Sequence, residues 1–260
     1  MSGLVRIETA DRIRTLTVNR PEKLNALNSE VLAELDSAIT EAANDGSLRC
    51  VILTGEGEKA FIAGADIGEL AKLGPVAGRD HARKGQAVLD RIERLPVPSI
   101  AAINGYAYGG GLELAMACTL RVASDNARMG LPETSLGIIP GYGGTQRLAR
   151  LVGRAKALEL VLTSEKGLTA ADAHRIGLVN QVVPAGGAHA AAVAMAKKIA
   201  ANGPVAVRYA MEAIRTGLDM TLSEGQLLEA TLFGLCAATE DMKEGMAAFL
   251  EKRTARFTGR

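Results

Sequence analysis

Ile100-Ala-Ala-Ile-Asn-Gly-Tyr-Ala-Tyr-Gly-Gly-Gly-Leu-Glu-Leu-Ala-Met-Ala-Cys118 is the stretch on which the fold turns. Its first residues, Ser99 to Ile103, form a short buried strand by pattern. A glycine-rich turn follows, and then an apolar helix from Gly110 to about Cys118. Three consecutive glycines leave backbone N–H groups unshielded by side chains. At a helix start those N–H groups have no intrahelical acceptor. The positive end of the helix dipole adds to their field, which suits an anionic oxygen. Glu113 lies in the first turn of the same helix. Two readings stay open on these residues alone: an anion cradle with an acid beside it, or a helix start that carries an acid for stability.

Upstream, Leu4 to Val18 reads as two short strands around Ala10-Asp11. Asn28 or Ser29 can cap a helix with Leu32, Leu35, Ile39 and Ala42 on one face, ended by Asn44-Asp45-Gly46. Cys50 to Thr54 is an apolar strand. Strand, helix and strand in this order predict a parallel sheet with helical crossovers. A further helix runs from about Gly78 to Leu95, stopped by Pro96 and Pro98. Downstream, Leu120 to Ala123 returns as a strand, Thr169-Ala-Ala-Asp172 matches a capping box, and Leu178 to Val183 is a strand. After Pro184 the pattern is all helix, at about 188–201, 204–217, 221–236 and 239–252. An architectural boundary is placed near residue 200, dividing 1–200 from 201–260.

Of the 260 residues, 48% are apolar and 23% charged, enough for a full core under a charged surface. Thirty basic residues stand against 29 acidic ones, so the balance gives no reason to expect nucleic acid or an anionic membrane. Arg6, Glu8, Asp11, Arg12 and Arg14 interrupt the start, and no signal-type apolar region is expected there. The uncharged run Leu95 to Leu112 holds prolines and glycines and makes a poor membrane helix. Cys50, Cys118 and Cys236 are far apart in apolar surroundings, as buried free thiols in a reducing compartment would be.

Several chemistries lack their residues. His81, His174 and His189 have no metal-ligand spacing and no nucleophile context, so each reads as a surface or helix residue. No phosphate loop of the G-x-x-x-x-G-K-[ST] type occurs. Gly55-Glu-Gly-Glu-Lys-Ala60 mimics a dinucleotide fingerprint after a strand. However, Phe61-Ile-Ala-Gly64 follows where a helix should run, and two glutamates would repel a pyrophosphate. A second acid, Glu133, sits in Gly130-Leu-Pro-Glu133 before the uncharged, glycine-rich Gly137 to Thr145. It is either a pocket carboxylate or a surface turn residue.

Longer motifs decide between these alternatives. Asn19-Arg-Pro-Glu-Lys-Leu-Asn-Ala-Leu27, Phe61-Ile-Ala-Gly-Ala-Asp66, Asn104 to Ala115, Pro132-Glu133 with Leu136 to Arg147, and Glu244 to Arg253 resemble the crotonase (enoyl-CoA hydratase/isomerase) family, in order and over nearly the whole chain. The resemblance implies an α/β fold, a crotonase-like spiral of ββα units with a C-terminal helical oligomerisation region. It implies catalytic acids at Glu113 and Glu133, and an oxyanion hole from the backbone N–H groups of Ala65 and Gly110. It implies coenzyme A contacts from Lys23, Leu24, Ala63, Asp66 and Ile67, with Phe249 and Lys252 reaching the cofactor of a neighbouring subunit or folding back on their own. Leu131, Gly141 and Tyr142 would shape the acyl pocket.

The activity so implied is reversible hydration of a 2-trans-enoyl-CoA to a 3-hydroxyacyl-CoA by a cytoplasmic hexamer, a dimer of trimers. It needs no metal and no cofactor beyond the coenzyme A of the acyl-CoA thioester substrate itself. Glu133 would exchange a proton with the α-carbon while Glu113 holds and activates water. The rival on the same scaffold is an enoyl-CoA isomerase or another acyl-CoA lyase. Isomerisation can run on one glutamate, so the presence of both favours hydration. A non-catalytic RNA-binding relative would show a basic stripe that this chain lacks.

Overall fold

Strand periodicity sends alternate side chains of the central strands into two separate cores. The computed structural model describes residues 3–260. It begins with β1 (Val5–Ala10) and β2 (Ile13–Val18), an antiparallel pair. Next come α1 (Ser29–Asn44), capped by the Asn28 side chain, β3 (Cys50–Gly55), β4 (Ala60–Ile62), α2 (Ile67–Leu70) and α3 (Pro75–Glu93). Then follow β5 (Ser99–Ile103), β6 (Tyr106–Tyr108), α4 (Gly110–Ala117), β7 (Leu120–Ser124) and β8 (Arg128–Gly130). Helices α5 (Gly144–Val152) and α6 (Arg154–Leu162) lead to β9 (Leu168–Thr169), α7 (Ala170–Arg175) and β10 (Gln181–Val183). The chain ends in α8 (Ala188–Ala200), α9 (Pro204–Gly217), α10 (Leu222–Ala237) and α11 (Glu240–Leu250).

The strands form a six-stranded sheet ordered β1-β2-β3-β5-β7-β10 and a four-stranded sheet ordered β4-β6-β8-β9. Successive units put one strand in each sheet and then return by helix: β3-β4-α3, β5-β6-α4 and β7-β8-α5. This is the expected spiral of ββα units. In the large sheet Val51, Leu53, Ala101 and Ile103 enter the main core, beside α1, α3 and α4. Their neighbours Ile52, Ile100 and Ala102 face the other way and meet Ala188, Ala192 and Ala196 of α8. Those alanines, four residues apart, form one small-residue stripe that lets α8 lie close to the sheet.

Several expectations need correction. The presumed turn after Ile103 holds β6, which is only three residues long and exposed at Tyr106. The loop expected through Thr145 already contains the start of α5. The last strand covers only Gln181–Val183, because the Leu178 and Val179 N–H groups turn back to the Ala173 carbonyl. The box at Thr169 is half made: Thr169 caps the Asp172 N–H, but the Asp172 carboxylate bonds the Thr169 hydroxyl and Arg175. The box at Thr221 and Glu224 is complete. Cys50 and Cys118 are buried, whereas Cys236 is only half-buried. Arg215 of α9 reaches back to Thr119 at 3.1 Å, so the helical tail is tied to the strand-bearing part. No helix among the described residues is long and apolar enough to cross a membrane.

Candidate active site

The edge of the small sheet, the start of α4 and the loop before α5 border one cleft of about 840 Å³. Ala63, Ala65, Ile67, Gly110, Glu113, Glu133, Gly141 and Tyr142 all line it. Gly109 makes the turn from β6 into α4 with φ 48° and ψ −125°, a conformation open chiefly to glycine. The turn leaves the Gly110 N–H at the first position of the helix, without an intrahelical acceptor. Across from it, Leu27 donates to the Gly64 carbonyl and accepts from the Asp66 N–H, both by backbone. In a parallel bridge of this kind the N–H of the residue between, Ala65, points to the opposite side. Gly64 and Gly109 lie within a β-carbon's reach, 3.8 Å, so the two free donors belong to adjoining segments.

Glu113 is 2% exposed on α4. Its Oε1 accepts from the Tyr142 N–H at 2.8 Å and from the Gly144 N–H at 2.6 Å. Burial pushes its carboxyl up to about 7, opposed by the Gly144 N–H and helped by the nearby charge of Glu133. Glu133 stands in a 3₁₀ turn, Pro132–Leu136, directly after β8. Burial pushes it up to about 7 as well. Its Oε2 is buried without a hydrogen-bond partner. The two acids thus differ in hydrogen bonding: one is held as an acceptor by fixed N–H groups, while the other has an oxygen free for a ligand.

The loop that holds Glu113 is braced from outside. Arg147 donates to the Tyr142 carbonyl at 3.0 Å and reaches Asp90 at 2.6 Å and Glu93 at 2.7 Å on α3. Gln86 of α3 donates to the Gly141 carbonyl at 2.9 Å. The Ala63–Ala65 segment is braced by the Asn19–Leu27 motif: Ala63 N–H donates to the Leu24 carbonyl, and Arg20 bonds Asp66 and the Ala26 carbonyl. Asn25, buried with φ 59°, donates to the Glu56 and Ala60 carbonyls.

Other expected site residues stand elsewhere. Leu131 does not line the cleft; it follows β8 directly and is fully buried in the main core. Asp66 caps α2 and pairs with Arg20. Lys23 and Leu24 are exposed on the preceding turn. Phe249 is 81% exposed and Lys252 is exposed too, so neither folds back on the cleft of its own chain. His81, which belongs to no sequence motif, also lines the cleft and lies 2.6 Å by Nε2 from the Tyr142 hydroxyl. Its place on α3 gave no local signal; only the fold brings it to Tyr142.

The enoyl-CoA hydratase/isomerase family profile matches residues 8–260. The chain belongs to this family. It is 47% identical over 247 residues to the short-chain-enoyl-CoA hydratase of Clostridium acetobutylicum, covering 95% of this chain and 94% of the relative. It is 44% identical over 251 residues to the crotonyl-CoA hydratase of Syntrophomonas wolfei, covering 96% of each. The crystal structure of an enoyl-CoA hydratase from Bacillus anthracis superposes with a TM-score of 0.95 at 42% identity, over 99% of this chain and 100% of that one. The decoy at Gly55 to Ala60 forms bends and then β4, with no helix for a pyrophosphate to meet.

Proposed function

We infer that this member of the enoyl-CoA hydratase/isomerase family is an enoyl-CoA hydratase acting on acyl-CoA thioesters. It adds water across a 2-trans-enoyl-CoA to give a 3-hydroxyacyl-CoA. One observation carries the reading: buried Glu113 and half-buried Glu133, whose Oε2 is shut off from solvent, border one cleft with opposite hydrogen-bonding states. Hydration needs a base for water and an acid for the α-carbon, each worth on the order of 10²–10⁴ in rate. Glu113, with two N–H donors stabilising its charge, serves as the base that holds and activates water. Glu133, with no donor at Oε2, is better kept protonated and serves as the acid.

Attack at the β-carbon drives charge onto the thioester oxygen. The backbone N–H groups of Ala65 and Gly110 form the oxyanion hole that receives it. Fixed donors aimed at charge that develops in the transition state lower the barrier, each by roughly 3–4 kcal/mol. The step moves a proton and a hydroxyl without a change of oxidation state, so coenzyme A enters only as part of the substrate. Ala63 and Ile67 in the cleft wall hold it, Lys23 and Leu24 reach it from the exposed adjoining turn, and Asp66 positions the segment through Arg20.

The tail, residues 201–260, is proposed as the oligomerisation region of a cytoplasmic dimer of trimers. Leu218, just past α9, and Leu222, Leu227 and Phe233 of α10 are each more than two-thirds exposed on one chain, which leaves apolar surface there to bury. Phe249 and Lys252 would then serve a neighbouring subunit's coenzyme A. Loss of the conjugated enoyl absorbance of crotonyl-CoA, with 3-hydroxybutyryl-CoA as product, tests the activity. Double-bond migration without water uptake would replace it with the isomerase reading.

A further inference from the structure

Tyr142 and His81 form one wall between the reaction centre and α3. Tyr142 is 3% exposed although it borders the cleft. One edge of its ring fills a slot on α3 that exists because residue 85 is glycine. A β-carbon on Gly85 would stand 2.2 Å from that edge. The opposite edge faces Gly110, where a β-carbon would lie 3.3 Å away. The ring therefore spans the gap from the start of α4 to α3. Its hydroxyl is fixed at the far end by His81 Nε2, at 2.6 Å. Most of the lining nearby is apolar, with Leu70, Leu73, Ala82, Ile138 and Ile139.

We propose that the hydrogen-bonded His81–Tyr142 pair is a length-limiting wall of the acyl subsite, which makes His81 a specificity-determining residue that favours short 2-enoyl chains over long ones. The proposal rests on the hydratase reading. The ring abuts Gly110 and its own backbone N–H holds Glu113, so it lies beside the reaction centre. A four-carbon enoyl group carries only one carbon beyond its β-carbon and so makes the least demand on the ring. A long chain has to swing the ring aside. That movement strands a buried hydroxyl and an imidazole nitrogen, and an alkyl chain offers neither a partner. Burial lowers the His81 pKa and raises that of Tyr142, so both stay neutral near pH 7 and the phenol O–H can donate to Nε2. The neighbouring charges of Glu69 and Lys84 act on His81 in opposite directions.

The test compares kcat/KM for four-, eight- and twelve-carbon 2-enoyl-CoA esters in the full-length wild type, Tyr142→Ala, Tyr142→Phe and His81→Ala. The wild type is expected to lose efficiency as the chain lengthens. Tyr142→Ala and His81→Ala should lower the four- to twelve-carbon preference at least about tenfold, the lower end of what one methylene in a pocket discriminates. Tyr142→Phe, which keeps the ring but unties it, should lower it less. A purely structural role would reduce all chain lengths together. A preference unchanged within about twofold in His81→Ala overturns the proposal, whether or not Tyr142→Ala folds. Wild type that hydrates no chain length would instead sink the hydratase reading, and this wall with it.

Discussion

A β-carbon on Gly109 would lie 2.7 Å from Glu133 Oε1. The turn into α4 and the second acid therefore share one space, and only glycine leaves room for both. The backbone at Gly109, φ 48°, is independently unfavourable for a side chain. Gly109→Ala should displace Glu133 and lower kcat at least about tenfold, with a loss of about 1–3 kcal/mol in stability from backbone strain. Urea unfolding and steady-state kinetics on the same preparation measure both. Unchanged kcat would show that Glu133 can move without consequence.

The acids themselves give a sharper prediction. Glu113→Gln keeps an oxygen for the Tyr142 and Gly144 N–H groups, so the loop should stay in place while the base is lost. Glu133→Gln removes the acid. Each should lower kcat by at least about 10²-fold, and the double variant should lose far less than the product of the two, since the pair acts as a unit. A near-normal hydration rate in either single variant contradicts the assignment.

Stability should fall with rising pH through a window set by these groups. Both carboxyls are pushed by burial from 4.5 to about 7 in the folded chain. Between those values the folded state binds more protons than the unfolded state, so raising the pH favours unfolding. The contribution is fully present below 4.5 and is lost as pH climbs through about 7. Carboxylates held low by partners, such as Glu244 at about 2, titrate below this window. Urea midpoints at pH 5 and pH 8 should differ more in the wild type than in the Glu113→Gln/Glu133→Gln double variant. Activity should follow a bell-shaped profile near neutrality, with both limbs belonging to the pair.

Lys252 and the apolar tail predict assembly. Light scattering should give a multiple of the 27.1 kDa chain mass, consistent with a trimer or hexamer. Lys252→Ala should raise KM for the CoA ester with less effect on kcat, because phosphate contacts bind ground and transition states alike. The effect should shrink in high salt, where screening weakens a mobile point charge. A fully active monomer defeats the assembly, and an unchanged KM removes Lys252 from the site.

Much of the fold was legible because its signals are local. Asn28 caps α1, the capping residues Thr169 and Thr221 open α7 and α10, and the apolar runs of β3 and β5 are strands buried on both faces. The short strands of the small sheet were less visible. β6 and β9 have three and two residues, and their conformation comes from neighbours in the sheet. In the site, Glu113 and Glu133 could be found because their motifs are contiguous. His81 could not, because nothing around it in α3 announces a tyrosine sixty-one residues away. Leu131 was misplaced because a motif gives sequence adjacency to Glu133, while in the fold Leu131 joins the main core and Glu133 lines the cleft.

The alternation of strands between two sheets has a kinetic consequence. Every pairing in the large sheet from β2 to β7 is parallel and joins segments that are distant in the chain. Each must close a long loop before its contacts compensate the lost chain entropy, which slows folding. Glu113 waits on β4 and β6 for its helix to dock, and Glu133 waits on β8. Catalytic competence should therefore be among the last properties a refolding chain acquires, well after helix content has recovered.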